Sequence, residues 1–102
     1  MKLEALEALL VGYLHEDWAD DYPDVWHAID DYSTSNPTRA RRLRADVDHV
    51  LERCHTENDT EDCLDRLGLT YHPPGAGWNS YRQWLVAVAD RVDELLHKSP
   101  AA

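Results

Sequence analysis

The last quarter of the sequence carries the pattern that most restricts the fold, a long apolar stripe at helical spacing. Large apolar side chains recur there mostly at steps of three and four residues, which places them on one face of a helix with 3.6 residues per turn. Ser80 and Gln83 have the S-x-x-Q spacing of a capping box, which marks the start of a helix. The pattern predicts a helix ending near His97 whose buried face consists of Tyr81, Trp84, Leu85, Val88, Val92 and Leu95.

Two helices are expected in the N-terminal third. Residues 2 to about 14 have their leucines on one face, with Glu4 and Glu7 on the other. The next stretch, HEDWADDYPD, breaks this period. Pro23 suits the first turn of a second helix because no N–H group is needed there. The apolar face of that helix contains Val25, Ile29 and Tyr32.

The middle of the chain predicts two more helices. Asn36 followed by Pro37 is typical of a helix start, since asparagine caps the first N–H groups and proline fits the first position. A shorter helix follows, capped by Thr60 or Asp59 and ended by Gly68. The apolar face of the longer helix is formed by Leu43, Val47, Val50, Leu51 and Cys54.

The fold class follows from these patterns. No segment alternates apolar and polar side chains as a half-buried strand does. A chain of 102 residues is long enough for one hydrophobic core and too short for two. The sequence therefore predicts an all-α protein, a single compact bundle of four to five helices, with residues 1–102 forming one domain.

Negative charge is concentrated near the N-terminus. The chain has 20 acidic and 10 basic residues, a formal charge of -10. Residues 1–35 contain nine acids against Lys2 alone, which accounts for -8 of that total. Such a field disfavours nucleic acids and anionic membranes and favours a basic partner. The same stretch contains Tyr22 and Trp26, aromatic residues of the type that anchors protein interfaces.

The residues give little support to a metal site or a catalytic site. The aspartates between residues 17 and 24 lack the spacing, central glycine and closing glutamate of a calcium loop. Cys54 with adjacent His55 superficially offers a nucleophile and a base, but Cys54 lies on an apolar stripe, where a thiol is usually inert. No glycine-rich phosphate loop is present. We expect no enzyme activity, no metal, no cofactor and no small-molecule substrate.

The cysteines and the N-terminus bear on the cellular compartment. Cys54 and Cys63 are too few for a disulfide framework and are spaced wrongly for a zinc site, which favours two reduced thiols. Glu4 and Glu7 interrupt the N-terminal apolar run, so it does not resemble a signal peptide or a membrane span. The expected location is the cytoplasm.

Two stretches resemble a known family. LEALLVGYLHEDWADDY near the start and GLTYHPPGAGWNSYRQWL near the end are similar to the immunity proteins of bacterial contact-dependent growth inhibition systems. The resemblance implies a cytoplasmic helical protein that binds and blocks the C-terminal toxin domain, often a nuclease, of a cell-delivered effector. An alternative from another class is an acidic adaptor or nucleic-acid mimic that binds a basic regulator.

The resemblance also sorts the aromatic and charged residues by role. Positions that the family shares while its members neutralise different toxins are interpreted as fold determinants, and the variable carboxylates around them as partner contacts. Trp18 and Tyr13 are then expected in the core, near Trp84 and Tyr81. The predicted fold determinants are Tyr13, His15, Asp17, Trp18, Tyr81, Trp84 and Leu85. The predicted partner contacts are Asp20, Asp21, Tyr22, Asp24, Trp26, Asp30, Asp31 and Trp78.

Overall fold

A computed structural model of the chain describes residues 3–14, 17–69 and 79–98. The described residues contain helices and no strand, which confirms the predicted all-α class. Two of the helices have only four or five residues, so the count exceeds the predicted four to five. The α-helices are α1 (Glu4–Ala8), α2 (Trp18–Asp21), α3 (Val25–Ser35), α4 (Pro37–Arg53), α5 (Glu57–Arg66) and α6 (Tyr81–Lys98).

The predicted first helix is present but is not uniform. The α-helical turn α1 continues directly into a π-helical turn over Leu9–Tyr13, in which the backbone hydrogen bonds span one extra residue. The N–H group of Leu6 is capped from another helix, by Oδ2 of Asp46 at 3.0 Å. A carboxylate at this position complements the positive end of the helix dipole.

The start of α3 differs from the prediction by two residues. Pro23 lies before the helix, and Asp24 is the N-cap, accepting a hydrogen bond from the N–H group of His27 at 2.9 Å. Tyr22 is held in an extended conformation, as expected for a residue that precedes proline, and this ends the short turn α2. Val25, Ile29 and Tyr32 are buried together, as their spacing predicted.

The predicted start of α4 is confirmed, whereas that of α5 was wrong. Asn36 caps α4, accepting from the N–H group of Arg39 at 3.2 Å, with Pro37 at the first position. The cap of α5 is Thr56, not Thr60 or Asp59. Thr60 lies one turn inside the helix, where its buried hydroxyl donates to the carbonyl of Thr56 at 2.8 Å.

Gly68 ends α5 as predicted, and the structure shows why glycine is needed. Its φ angle of +101° lies in a region that other residues rarely adopt. Its N–H group bonds the carbonyl of Asp65, and the N–H group of Leu69 bonds that of Leu64, both at 3.0 Å, which is a Schellman motif. A Cβ atom here would approach Val11 Cγ2 to 2.8 Å. Both the backbone and the available space therefore favour glycine.

The core lies between α4 and α6, the two longest helices. α4 also contacts α1 and α3, and α6 also contacts α3 and α5, so the shorter helices pack around this central pair. Trp84 and Tyr32 are the largest side chains that are completely buried. The hydroxyl of Tyr32 donates to the carbonyl of Ala5 at 2.6 Å, which joins α3 to α1.

Candidate functional site

The acidic residues of α2 and α3 do not form one uniform outward-facing patch. Asp20 and Asp21 are exposed on α2. The three acids farther along the chain, Asp24, Asp30 and Asp31, accept hydrogen bonds from other groups of the protein. The acidic segment that the sequence singled out therefore contains exposed carboxylates and carboxylates that hold the fold.

Asp24 connects the backbone and a side chain at the start of α3. Its Oδ1 atom accepts from the N–H group of His27 and lies 2.8 Å from His27 Nδ1. The side-chain bond to His27 and the backbone N–H group hold the pKa of the Asp24 carboxyl below its ordinary value. Its side chain remains half exposed, so the charge is available to a partner as well as to the helix.

Asp30 joins α3 to α6. Nε and Nη2 of Arg91 donate to its two carboxylate oxygens at 2.7 and 2.5 Å, a bidentate pair. The Asp30 side chain is only 29% exposed. Asp30 is therefore paired within the protein by Arg91, 61 residues away in sequence, and whether it also contacts a partner stays a prediction.

Asp31 pairs with Tyr22, a predicted partner contact. The Tyr22 hydroxyl donates to Oδ2 of Asp31 at 2.5 Å. This hydrogen bond, with smaller effects of burial and of nearby negative charge, raises the pKa of the Tyr22 phenol to about 12. The bond fixes the segment before Pro23 against α3.

Tyr22 is therefore expected to ionise near pH 12, and its pKa should return towards the ordinary value of 10.0 in an Asp31→Asn variant. Because the folded pKa is raised, the bond contributes stability below pH 10 that is lost as the pH rises through about 12. Phenolate absorbance during an alkaline titration measures this. A Tyr22→Phe variant identifies the Tyr22 component, and ionisation of that component near pH 10 in the unmodified protein would contradict the bond.

A groove between α3 and α6 brings Trp26 next to further acidic residues. The groove has a volume of about 370 Å³ and is lined by Trp26, Ala87, Asp90, Arg91 and Glu94. Trp26 is partly buried and packs against the core with one side. Trp26 was identified from the sequence, whereas Asp90 and Glu94 were not. Their positions four apart, on the side of α6 away from its apolar stripe, were the available signal.

The predicted fold determinants on α6 are buried. Trp84 and Leu85 are fully buried and Tyr81 is 4% exposed. Trp18 is partly buried against the core, and Asp17 is exposed before α2. Whether these residues determine the fold stays a prediction. Two other predicted residues, His15 and Trp78, lie outside the described residues.

Tyr13 packs against an aromatic residue that the sequence analysis did not pair with it. Its ring meets that of Tyr32 edge to face, with centroids 5.1 Å apart. The guanidinium carbon of Arg39 lies 4.1 Å from the centroid of Tyr32 and 5.8 Å from that of Tyr13. These distances allow cation–π attraction. Arg39 and the two rings therefore form one cluster beside the end of the first helix.

Cys54 and Cys63 are both free thiols and lie close together. Burial, followed by the proximity of Cys54, raises the pKa of the Cys63 thiol. A raised pKa disfavours the thiolate and hence nucleophilic chemistry. Within the described ranges, no three His, Cys, Asp or Glu side chains are placed to hold a metal ion. In the same ranges, no helix has the length and apolar character needed to cross a bilayer.

Comparison with known protein families gives a match over most of the chain. A family model described as "CdiI immunity protein" matches residues 2–92, most of the chain. No curated protein and no solved structure shows a significant match. The matched range includes α1 to α5 and most of α6, and all of the groove residues except Glu94.

Proposed function

The chain belongs to the CdiI immunity protein family, and we propose that it binds and neutralises the C-terminal toxin domain of a contact-dependent growth inhibition effector. The family match across residues 2–92 is the observation that carries this proposal. We further propose that the protein acts in the bacterial cytoplasm by binding alone, without catalysis, cofactor, nucleic acid or small-molecule substrate. The proposed partner is a basic domain, and a nuclease fits that description.

The charge of the chain supports a basic partner. A net charge of -10 attracts a basic domain over about one Debye length, roughly 8 Å at physiological ionic strength. Asp20 and Asp21 are exposed, and Asp24 retains its charge while capping α3. These carboxylates can raise the rate at which the protein meets a basic partner, which is the main effect of complementary charge on association. Carboxylates held against a nuclease would also occupy positions that substrate phosphates require.

The proposal predicts rescue and complex formation. Co-expression with the toxin domain of the protein encoded immediately upstream should restore growth, and the two proteins should co-purify. The association rate should fall steeply as salt is raised, because the attraction between exposed charges is screened. Failure of both rescue and co-purification would contradict the function, and would favour the acidic adaptor, whose gene need not follow a large secreted protein.

The role of charge has its own test. A variant with Asp20→Asn, Asp21→Asn and Asp24→Asn removes three carboxylates and leaves the Asp30–Arg91 and Asp31–Tyr22 contacts in place. Asparagine also caps helices well, so α3 should remain stable. We expect association to slow by roughly tenfold at low salt. Unchanged association that is also insensitive to salt would contradict electrostatic steering and leave the toxin-binding function standing.

A further inference from the structure

The two cysteines of the chain lie where the end of α4 meets α5. Cys54 is the C-cap of α4, and its backbone is extended rather than helical. Cys63 lies within α5, nine residues further along the chain. Both side chains are partly buried against the core, and both thiols are free. A bond between their sulfur atoms would therefore connect two neighbouring helices.

Hydrogen bonds hold the backbone of Cys54 against the face of α5 that carries Cys63. The hydroxyl of Thr60 donates to the carbonyl of Cys54 at 3.4 Å. Nη1 of Arg82 bonds both that carbonyl and the Thr60 hydroxyl, which fixes the junction from a third helix. Cys63 follows Thr60 by three residues, and side chains at this spacing share one face of a helix. Burial, followed by the closeness of Cys54, raises the pKa of the Cys63 thiol.

A cavity of about 420 Å³ at this junction gives a small molecule access to both thiols. Its lining consists of Cys54 and Cys63 with Arg53, Asp59, Asp62, Arg66 and Leu67. The formal charges of the two arginines and two aspartates cancel, so the pair of thiols is what distinguishes this cavity chemically. In the part of the chain that the structure describes, no group of three His, Cys, Asp or Glu side chains could hold a metal ion. Oxidation is the reaction left to two adjacent thiols.

We propose that Cys54 and Cys63 are a reversible oxidation site, at which a low-molecular-weight disulfide converts the two thiols into one intramolecular disulfide. In the first step, one cysteine thiolate attacks the small disulfide, forms a mixed disulfide and releases one small thiol. In the second step, the other cysteine attacks the mixed disulfide, closes the bond and releases the second small thiol. The protein loses two electrons and two protons, which the small disulfide accepts. An excess of small thiol drives the reverse exchange.

The fold favours closure at equilibrium, although it slows the chemistry. The raised pKa keeps Cys63 protonated at neutral pH, and exchange proceeds through the thiolate, so the reaction is slow there. The unfolded chain must bring its thiols together from a broad ensemble, whereas the folded chain holds them side by side. A disulfide that folding favours stabilises the folded state by the same factor. The site does not depend on toxin binding.

The test equilibrates the full chain with mixtures of glutathione and glutathione disulfide, folded and in concentrated urea. Alkylation and mass spectrometry measure the ratio of closed to open protein, and a non-reducing peptide map identifies the Cys54–Cys63 bond. We expect this ratio to be at least roughly tenfold higher for the folded chain than for the unfolded chain at the same glutathione composition. The closed protein should correspondingly unfold at a temperature roughly 5–10 °C higher than the open protein.

Two single-cysteine variants are matched controls. Cys54→Ser and Cys63→Ser each keep one thiol, so each should stop at the mixed disulfide with glutathione. Neither should show a rise in unfolding temperature after this treatment. Circular dichroism checks the fold of each variant. The comparison of folded with unfolded chain uses the unmodified protein, so it decides the proposal even where a variant fails to fold.

Several results would overturn the oxidation site. A closed-to-open ratio in the folded chain equal to or below that in urea would show that the fold does not hold the thiols in position to bond. Folded protein that stops at the mixed disulfide, or that forms disulfide-linked dimers instead, would do the same. An equal rise in unfolding temperature in the single-cysteine variants would assign the stabilisation to the reagent. Since no toxin is used, a failed rescue experiment would leave this site standing.

Discussion

Replacing Trp84 by alanine is expected to cost about 3–5 kcal/mol of the free energy of unfolding. The indole is completely buried on α6, among the helices that pack around the α4–α6 pair. Its removal loses the transfer free energy of a large apolar side chain and leaves a cavity that the neighbouring helices fill only in part. Since domains of this size are stable by only about 5–15 kcal/mol, much of the total would be lost.

The measurement is urea unfolding followed by far-ultraviolet circular dichroism, which does not depend on the tryptophan removed. Trp26→Ala is the matched control. Trp26 is partly exposed at the groove, so its truncation should cost only about 1–2 kcal/mol. Trp84→Phe, which keeps an aromatic ring, should give an intermediate loss. Equal losses for Trp84→Ala and Trp26→Ala would contradict the assignment of Trp84 to the core and of Trp26 to the surface.

Replacing Arg82 by methionine is expected to lower the free energy of unfolding by about 2–3 kcal/mol. Its guanidinium donates to backbone carbonyls at the C-terminal end of another helix. Nη2 of Arg82 donates to the carbonyl of Leu51 at 3.1 Å, and Nη1 donates to that of Cys54. Leu51 lies in the last turn of α4 and Cys54 is its C-cap, where no intrahelical donors remain for the carbonyls. A cation there also complements the negative end of the helix dipole. Methionine keeps much of the apolar stem but removes both bonds, and the Cys54 carbonyl then has only the Thr60 hydroxyl, at 3.4 Å.

Two further variants separate this geometry from charge alone. Arg82→Lys keeps the cation but lacks the planar guanidinium that reaches two carbonyls together. It should therefore lose about half as much free energy of unfolding as Arg82→Met. Arg53→Met removes an exposed cation from the same last turn of α4 and should change the stability by about 0.5 kcal/mol or less. Chemical denaturation measures all three. A full rescue by lysine, or an equal loss for Arg53→Met, would contradict a specific role for the Arg82 fork.

The structure changes the interpretation of the acidic composition. Several of the carboxylates that contribute to the net negative charge stabilise helix ends or pair with arginine. Glu57 of α5 accepts from the N–H groups of Tyr81 and Arg82 at 2.6 and 3.2 Å and thereby caps α6 from outside. Arg44 bonds both Asp48 and Asp93, which connects α4 to α6. The net charge of -10 is unchanged, but fewer carboxylates are available to a partner than the sequence suggests.

Sequence patterns predicted the helices well where the local signal was strong. The cap Asn36 with Pro37 and the Schellman glycine Gly68 were both correct, because such motifs bond within a few residues. The α6 cap was correct in part: Ser80 accepts from the N–H group of Gln83 at 3.0 Å, but the Gln83 side chain accepts from Asn79 rather than from Ser80. The cap of α5 was missed because Thr56 and Thr60 are equally plausible by residue type.

The candidate site was less predictable than the helices. The sequence identified an acidic, aromatic segment and placed Trp26 in it, but it did not identify the α6 wall of the groove. Asp90 and Glu94 follow Trp26 by more than 60 residues, and no local pattern indicates which helix packs beside which. The same limitation explains why the pairing of Asp30 with Arg91 was not predicted, since Arg91 is equally remote.

The sequence by itself determined the fold class and the buried face of each long helix, because a period of 3.6 residues and a local cap depend only on near neighbours. The tertiary structure alone decided what each charge does. Asp46 caps α1 across 40 residues, Glu57 caps α6 across 24, and Asp30 meets Arg91 across 61. An ionic or hydrogen-bonding partner is chosen by distance in space, and only the packing of α1 on α4, of α5 on α6 and of α3 on α6 brings these groups within bonding distance.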